Sequence, residues 1–192
     1  MDSKKSTRKG DKRRFPTVIL GGLAGSGKST VSTALSKIYG MRRVSAGDTF
    51  RAIAKERKMD LIAFGRYTEK HPQIDMEIDR RLLEEAKKGS VILDGRATAY
   101  QTRKAHIPAL RIFLGVGEKQ SAKRVAKRDG ITPKKALAYS RLREREIARR
   151  LKTLYGLDTS DTSNYDVCIQ TDGYTPKEVV GLIAQLVKYA RS

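Results

Sequence analysis

The chain has 192 residues and a formal net charge of +20 at pH 7, with 41 Lys and Arg against 21 Asp and Glu. This length predicts one sizeable domain with room for small inserts. The sequence has neither a long apolar span nor a hydrophobic signal-peptide core, which argues against a membrane or secreted protein. Its single cysteine, Cys168, excludes an intrachain disulfide, so we expect a cytoplasmic protein.

Two segments carry most of the positive charge. Residues 1–14 hold seven Lys or Arg against two Asp, and residues 118–152 hold thirteen against four acids. The first segment has no apolar residue after Met1, so we predict a disordered basic tail over 1–14 and a single domain over 15–192. A solubilising tail and a tail that makes weak nucleic-acid contacts fit this composition equally well.

Apolar runs alternate with helical patterns at the spacing of a parallel α/β fold. The predicted strands cover residues 15–20, 41–45, 91–94, 111–115 and 166–170. The predicted helices cover residues 29–39, 46–58, 61–69, 73–88 and 176–189, with one more beginning near Glu118 and another carrying Ile147 and Leu151. This order predicts a doubly wound, five-stranded parallel sheet with a small helical insert over about 49–89.

The chain after the first predicted strand contains the phosphate-loop pattern G-x-x-x-x-G-K-[ST]. Its glycines let successive backbone N–H groups point inward at phosphate oxygens, and the positive end of the following helix faces the same oxygens. Lys28 is expected to reach the β- and γ-phosphates, and the Ser29 hydroxyl is expected to ligate Mg²⁺. The predicted ATP-binding residues are Gly22, Leu23, Ala24, Gly25, Ser26, Gly27, Lys28, Ser29 and Thr30.

Charged residues follow the second and third predicted strands, at the edge where ligands bind in open α/β sheets. Asp48 and Arg51 follow the second strand, whereas Asp94 ends the third and Arg96 comes two residues later. We predict that Asp94 helps to hold Mg²⁺. Arg51 and Arg96 are expected to clamp the phosphate of an acceptor molecule in bidentate fashion, with Asp48 near its sugar or base.

Four arginines of the second basic segment are candidates for phosphate contacts. Arg124 and Arg128 share one helix face because they are four residues apart, and Arg124 is assigned to ATP. Arg143 and Arg150 border the apolar stripe of the next helix and can turn inward; a solvated cationic helix and an RNA site are the alternatives. We predict that Arg128, Arg143 and Arg150 act in catalysis. A lid over about 128–143 is expected to be mobile until nucleotides bind and to bring these arginines to the transferring phosphoryl group.

Five blocks carry a family resemblance: Gly22-Leu-Ala-Gly-Ser-Gly-Lys-Ser-Thr30, Ser45-Ala-Gly-Asp-Thr-Phe-Arg51, Asp94-Gly-Arg96, Arg124-Val-Ala-Lys-Arg128-Asp-Gly130 and Leu154-Tyr-Gly-Leu-Asp158. The chain resembles the nucleoside monophosphate kinases and, more narrowly, the short archaeal-type cytidylate kinases. This resemblance implies transfer of the γ-phosphoryl group of ATP to CMP or dCMP with Mg²⁺, giving CDP or dCDP and ADP. The chain departs from the family pattern at Leu23-Ala24, where proline is usual, and at Ile147, where an acid is frequent.

Two alternatives remain open. A kinase of another base preference, such as an adenylate kinase-like enzyme, fits the same motifs because no residue can be named that distinguishes one base from another. An NTP-dependent RNA-binding protein without kinase activity would keep the phosphate loop and the tail, but it would not need the charged residues after the second and third strands. Those residues favour the enzyme, which we expect to be a monomer without a membrane partner.

Histidine is not expected to take part in the reaction. A phosphate monoester has a second pKa of about 6, so its attacking oxygen is already mostly deprotonated at pH 7 and needs no general base. His71 and His106 each stand next to or near a proline in predicted turns, which is typical of structural or exposed positions.

Overall fold

The computed structural model describes residues 16–190, so the predicted tail over 1–14 and Phe15, the first residue of the first predicted strand, lie outside the described residues. The described elements, in chain order, are β1 (Val18–Gly22), α1 (Lys28–Tyr39), β2 (Arg42–Ser45), α2 (Ala46–Glu56), α3 (Leu61–Lys70), α4 (Pro72–Lys88), β3 (Val91–Asp94), α5 (Thr98–Lys104), β4 (Leu110–Gly115), α6 (Glu118–Asp129), α7 (Pro133–Tyr155), β5 (Val167–Gln170) and α8 (Pro176–Tyr189).

The strands form one parallel sheet in the order β2-β3-β1-β4-β5. Because β1 is central, the loop that follows it lies in the middle of the carboxyl edge of the sheet. Leu20 of β1 pairs in register with Asp94 of β3, which brings the end of β3 beside the start of that loop. With helices on both faces, this sheet confirms the predicted doubly wound, five-stranded fold.

Side chains of β1 alternate between two cores because successive residues of a strand point to opposite faces. Val18 and Leu20 pack with Leu35 of α1 and residues of α8, whereas Ile19 packs with Phe64 and other residues of α2, α3 and α4. The three β1 side chains have no exposed surface, and burial of each contributes roughly 1.5–3 kcal/mol. The two cores together hold the loop after β1 in place.

Helices α2, α3 and α4 form the insert between β2 and β3. The Ser45 side chain caps α2 by accepting a hydrogen bond from the Asp48 N–H at 3.2 Å, and the Asp60 side chain caps α3 by accepting hydrogen bonds from the Ile62 and Ala63 N–H groups. The Phe50 and Phe64 rings, 4.6 Å apart, join α2 to α3. The insert therefore borders the carboxyl edge on the β2–β3 side of the sheet.

Two helices form the region where the lid is predicted. Helix α6 ends at Asp129 and α7 begins at Pro133, so the connection between them is three residues long. Helix α7 also lies close against α3, since a Cβ atom on Gly65 would be 2.9 Å from Oε2 of Glu146 and 3.2 Å from Nη1 of Arg150. The absence of a side chain at Gly65 allows this approach. Mobility of residues 128–143 stays a prediction.

Helix α5 is absent from the sequence-based prediction; β3 and α8 have their predicted bounds, and most of the other elements differ from theirs by a few residues. None of the helices within residues 16–190 is both long and apolar enough to span a membrane.

Candidate active site

A cavity of about 480 Å³ opens at the carboxyl edge of the sheet. Most of the predicted site residues line it: Ala24, Gly25, Ser26, Gly27, Lys28, Ser29, Thr30, Arg51, Asp94, Arg96, Arg124, Arg128, Arg143 and Arg150. Gly22, Leu23 and Asp48 are predicted site residues that do not border it. The cavity is continuous. Helices α2 and α4 border one of its ends, and the connection between β5 and α8 borders the other.

The phosphate loop is pressed against the neighbouring strand. Gly22 has a φ of 131°, and a Cβ atom there would be 2.2 Å from the carbonyl oxygen of Leu114 on β4. A side chain would therefore both strain the backbone and push the loop away from the sheet. The side chain of Ser121 on α6 holds the far side of the loop by donating a hydrogen bond to the Ala24 carbonyl at 2.8 Å.

Lys28 closes over the phosphate loop. Its Nζ donates hydrogen bonds to the carbonyl oxygens of Gly22 at 2.7 Å and Leu23 at 2.8 Å. Burial, reinforced by the nearby Arg96 guanidinium, lowers the pKa of Lys28 to about 8, against the opposing effect of Asp94 and Glu144. A partly desolvated ammonium group beside a guanidinium attracts a polyanion strongly, because a phosphate would relieve the repulsion between the two cations.

Glu144 binds two groups that are predicted to bind substrate phosphates, the Arg96 guanidinium and an N–H group of the phosphate loop. Its carboxylate makes two contacts with the Arg96 guanidinium, one of them 2.7 Å between Oε1 and Nη2, and Oε1 also accepts the Ala24 N–H of the phosphate loop at 3.1 Å. Burial raises the pKa of Glu144, but the hydrogen bond and charge of Arg96, the Ala24 N–H and the charge of Lys28 together outweigh burial, so the Glu144 pKa lies below its ordinary value. Substrate phosphates would therefore compete with Glu144 for Arg96 and the loop.

Asp48 does not border the cavity and is ion-paired with two arginines. It is ion-paired with Arg51, as their spacing allows, and its Oδ2 lies 2.7 Å from Nη1 of Arg43 on β2. Partial burial raises the pKa of Asp48, but the hydrogen bonds and positive charges of Arg51 and Arg43 together outweigh it, so this pKa lies below its ordinary value. Arg51, which is paired with Asp48, lines the cavity that Asp48 itself does not border.

Arg143 lies where three positive groups converge. Burial lowers its pKa, and the charges of Arg96 and Arg51 lower it further. Its Cζ lies 6.0 Å from the centre of the Tyr139 ring. Arg128 is more exposed and makes a two-point ion pair with Asp129, with distances of 2.6 and 2.8 Å. The concentration of cations around Arg143 marks a site for several phosphate charges.

Arg124 joins the phosphate loop to the end of β5. It donates hydrogen bonds to Gly25 O at 3.2 Å, Thr171 Oγ1 at 2.9 Å and Thr171 O at 2.7 Å. Tyr174 and Val179 border the same end of the cavity. This end has an arginine, an aromatic ring and an aliphatic side chain, a set that suits one face of a nucleotide base.

The opposite end contains Arg150, whose side chain is more than nine-tenths buried. Its Nε lies 2.9 Å from Oδ2 of Asp75 on α4, and its Cζ lies 5.2 Å from the centre of the Phe50 ring. One helical turn along α4, the Asp79 carboxylate accepts a hydrogen bond from the Tyr155 hydroxyl at 2.9 Å. Arg150 thus borders the insert, whereas the phosphate loop lies nearer the middle of the cavity.

The two side chains predicted to ligate Mg²⁺ both carry oxygen atoms and lie at the same cavity. Ser29 and Asp94 both line the cavity, and Asp94 ends β3 beside the phosphate loop. One hydroxyl and one carboxylate fit Mg²⁺, which prefers oxygen ligands and takes the remaining ones from substrate phosphates and water. Within residues 16–190, no group of three or more His, Cys, Asp or Glu side chains could hold a metal ion by itself.

Several residues of the site are not identified by sequence analysis, namely Arg43, Asp75, Asp79, Glu144, Tyr155 and Thr171. For Asp75 and Asp79 a signal exists, because these two acids, four residues apart, border the apolar stripe of Ile74, Ile78 and Leu82 on α4. Acids next to an apolar stripe face the interior and need a partner. Glu144 has no such signal, because it stands in a run of alternating charges.

The fold and the cavity are those of a phosphate-loop kinase, with an arginine-rich helix pair opposite the loop. The profile of the Cytidylate kinase-like family matches residues 17–173, and the chain belongs to that family. The cytidylate kinase of Pyrococcus horikoshii is 38% identical over 172 residues, which cover 90% of this chain and 88% of the relative.

Solved structures share the fold at lower sequence identity. An uncharacterized protein from Eubacterium ventriosum has a TM-score of 0.68 at 17% identity, covering 90% of this chain and 98% of its own. Shikimate kinase from Acinetobacter baumannii has a TM-score of 0.56 at 16% identity, covering 92% of this chain and 95% of its own. These two similarities support the architecture of the sheet and its helices.

The buried carboxyl group of Asp79 leads to a prediction about stability. Burial raises its pKa from 3.8 to about 6, so the folded protein favours the protonated form. The stabilisation from Asp79 is complete below about pH 4 and is lost as the pH rises through about 6. The Asp79→Asn variant should not lose this stability as the pH rises, because an asparagine side chain does not ionise. Between pH 4 and pH 7.5, the difference in unfolding free energy should shift toward the variant by about 3 kcal/mol, at roughly 1.4 kcal/mol per pKa unit.

Urea unfolding of both proteins at a series of pH values checks this shift. The amide keeps an oxygen that can accept the Tyr155 hydroxyl, so the comparison isolates the charge of Asp79. Two stability curves that run parallel from pH 4 to pH 7.5 would contradict the prediction.

Proposed function

We propose that the protein transfers the γ-phosphoryl group of ATP to CMP, and also to dCMP, giving CDP or dCDP and ADP. One observation carries the proposal: a single cavity has a phosphate loop with Lys28 at its centre, Arg124 at one end, and Arg51, Arg96 and Arg143 facing the loop on the acceptor side. Membership of the Cytidylate kinase-like family and the named cytidylate kinases among its relatives support CMP as the acceptor.

The charges of the cavity suit transfer between two polyanions. ATP would occupy the loop, with its base toward Arg124 and Tyr174 at the β5 end. The acceptor phosphate would replace the Glu144 carboxylate on Arg96 and also bind Arg51. The acceptor oxygen is mostly deprotonated at pH 7, so positioning and charge neutralisation supply the catalysis and no general base is needed. Among the described residues that line the cavity there is no histidine.

Mg²⁺, when bound through Ser29 and Asp94, would neutralise charge on the transferred phosphate. Lys28 would stabilise the β- and γ-phosphate oxygens from the loop side, and Arg143 would do so from α7. Closure of α6 and α7 would bring Arg128 to the phosphates and exclude water, which is otherwise a competing acceptor. Cytoplasmic location, a monomeric state and weak nucleic-acid contact through residues 1–14 stay predictions from the sequence.

Steady-state kinetics with CMP, dCMP, UMP and AMP, each with ATP and Mg²⁺, test the proposal. We expect the highest kcat/KM with CMP, followed by dCMP. A comparable or higher kcat/KM with AMP or UMP would show that cytosine is not the preferred base of the acceptor. A protein that turned over none of the four and bound RNA with a strong salt dependence would instead be an RNA-binding protein.

The acceptor clamp leads to a separate prediction. Arg51→Ala should raise the KM of CMP by on the order of 10–100-fold, because a charge-assisted bidentate contact to the acceptor phosphate is lost, while the KM of ATP changes little. Lys55→Ala, on the exposed part of the same helix, is the matched control. Initial rates at varied CMP and fixed saturating ATP measure the change. An unaltered KM for CMP in Arg51→Ala would show that Arg51 does not bind the acceptor.

A further inference from the structure

The cavity accounts for only part of the positive charge of residues 118–152. Helix α6 carries three further lysines, four residues apart on one exposed face, which we call the lysine stripe: Lys119, Lys123 and Lys127. None of the three lines the cavity, whereas Arg124 and Arg128 of the same helix do. The stripe is therefore a separate surface that phosphoryl transfer does not use.

The acids of this region are already paired with arginines. Four acids occur in residues 118–152, and each forms an ion pair, namely Glu118–Arg141, Asp129–Arg128, Glu144–Arg96 and Glu146–Arg66. Within residues 16–190, no carboxylate is ion-paired with a lysine of the stripe. The described part of the chain thus supplies no counter-charge for these three ammonium groups.

Helix α4 shows a different pattern on its exposed side. Glu77 is ion-paired with Arg80 at 2.9 Å and with Arg81 at 2.8 Å. One to two turns further on, Glu84 is ion-paired with Lys87 at 2.8 Å. A solvent-facing helix of this protein therefore places acids within reach of its cations, and α6 does not do so along the stripe.

The unpaired lysines work against the two helices that carry them. Like charges four residues apart on a helix repel each other, and the stripe contains two such pairs. The first turn of α7 carries Lys134 and Lys135 and no acid, although the positive end of a helix dipole favours acids. Because α7 begins three residues after α6 ends, these two lysines extend the positive surface at the Lys127 end of the stripe. A bound polyanion would relieve these repulsions.

We propose that the lysine stripe binds the phosphate backbone of single-stranded RNA without reading its bases. Successive lysines of the stripe are about 6 Å apart along the helix axis, a spacing comparable to that of neighbouring phosphates on a nucleic-acid strand. A flexible single strand can follow such a straight row of charges, and contacts between ammonium groups and phosphates carry no sequence preference. This RNA surface is additional to the kinase site and does not depend on which monophosphate the enzyme phosphorylates.

The composition of α6 favours RNA over a membrane or a protein partner. A helix that lies on a membrane needs an exposed apolar face beside its charges, and a stable protein interface has an apolar centre. The apolar residues Val125 and Ala126 of α6 are buried and pack with Ala136 of α7. The exposed residues of α6 are all charged. An RNA backbone, which is bound through its charge, needs no apolar contact.

Fluorescence anisotropy of a labelled single-stranded oligouridylate, measured with the full-length protein over a series of salt concentrations, tests the inference. The stripe variant combines Lys119→Gln, Lys123→Gln and Lys127→Gln. The matched control removes the same charge from exposed positions of α1 and α8 by combining Lys37→Gln, Lys177→Gln and Lys188→Gln. Each phosphate contact on a single strand contributes about 0.7 to the slope of log affinity against log salt, so the slope should become shallower by about 2 in the stripe variant. Its Kd at low salt should rise on the order of 10–100-fold, and that of the control by less than about 3-fold.

The kinase reaction provides a check on folding. None of the three lysines lines the cavity, so kcat and both KM values of the stripe variant should stay within about 2-fold of wild type. Lys123→Glu alone, in the middle of the stripe, gives a second measure and should raise the Kd for RNA on the order of 10-fold. Saturating ATP and CMP should leave RNA binding unchanged.

Several results would overturn the inference. An unchanged RNA affinity in the stripe variant, or an equal loss in both triple variants, would show that the stripe is not the binding surface. Displacement of RNA by ATP, or loss of kinase activity together with RNA affinity, would place binding in the cavity instead. Binding of the stripe to vesicles of anionic phospholipid but not to RNA would make it a membrane-binding surface.

Discussion

Lys28→Met should lower kcat for CMP phosphorylation by a factor on the order of 10³, the size of effect typical of losing a preorganised charge at a phosphoryl-transfer centre. The Lys28 ammonium lies over the loop on the carbonyl oxygens of Gly22 and Leu23, and it can exchange them for phosphate oxygens without entering from solvent. Methionine fills a similar volume but brings no charge. The binding of ATP should weaken much less than kcat falls, because the loop N–H groups remain.

Single-turnover kinetics and equilibrium binding of ATP separate these two effects. Lys37→Met, which removes an exposed lysine from the last turn of the same helix, is the control and should behave as wild type. A Lys28→Met enzyme with wild-type kcat would show that the ammonium group has no part in the transfer.

Arg143→Ala should lower kcat by on the order of 10²–10³ while the Kd of ATP alone changes little. Arg143 already lies among Arg96 and Arg51, and partial burial lowers its pKa there, so the repulsion among these cations is relieved when the transferring phosphoryl group arrives. The relief is largest in the transition state, where both nucleotides contribute charge. A side chain with that property raises kcat more than it strengthens ground-state binding.

Arg145→Ala is the matched control, because Arg145 lies on the exposed side of the same helix. Hydrogen exchange over residues 129–142 provides a second readout. Protection should rise on addition of a bisubstrate analogue and much less with ATP alone, since both sets of phosphates are needed to neutralise the arginines. If Arg143→Ala retains wild-type kcat, or if protection is equal with and without ligand, the α7 arginines are only a charged surface.

Much of the fold is predictable because local signals agree with the tertiary structure. β3 is found with its bounds at Val91–Asp94, since an apolar run begins two residues after Gly89, the glycine that ends α4. Helix α5 is missed because the sequence Thr98–Lys104 has no helical pattern of apolar residues. The Thr102 hydroxyl donates hydrogen bonds to carbonyl oxygens of the preceding turn, and the burial of α5 depends on neighbouring elements. Cys168, expected in an apolar strand, is exposed because β5 is an edge strand.

Some residues of the site can likewise be predicted from the sequence, and others cannot. The phosphate loop and the residues at the ends of β2 and β3 follow from motifs, because strand order alone brings them to one edge. The acidic partners of the arginines cannot be predicted from sequence motifs. Glu144 lies 48 residues from Arg96 and Asp75 lies 75 residues from Arg150, and no periodicity relates helices that approach only in the folded chain. Arg124 and Thr171 meet for the same tertiary reason.

The most direct test of the whole account is the identity and amount of the products when the enzyme is mixed with ATP, Mg²⁺ and CMP. Anion-exchange chromatography of the quenched reaction should show CDP and ADP formed in equal amounts, with neither CDP nor ADP above background in the Lys28→Met protein over the same time. ATP hydrolysed to ADP and phosphate without CDP, or no nucleotide turnover by the wild-type protein, would contradict the assignment of this cavity to phosphoryl transfer between ATP and CMP.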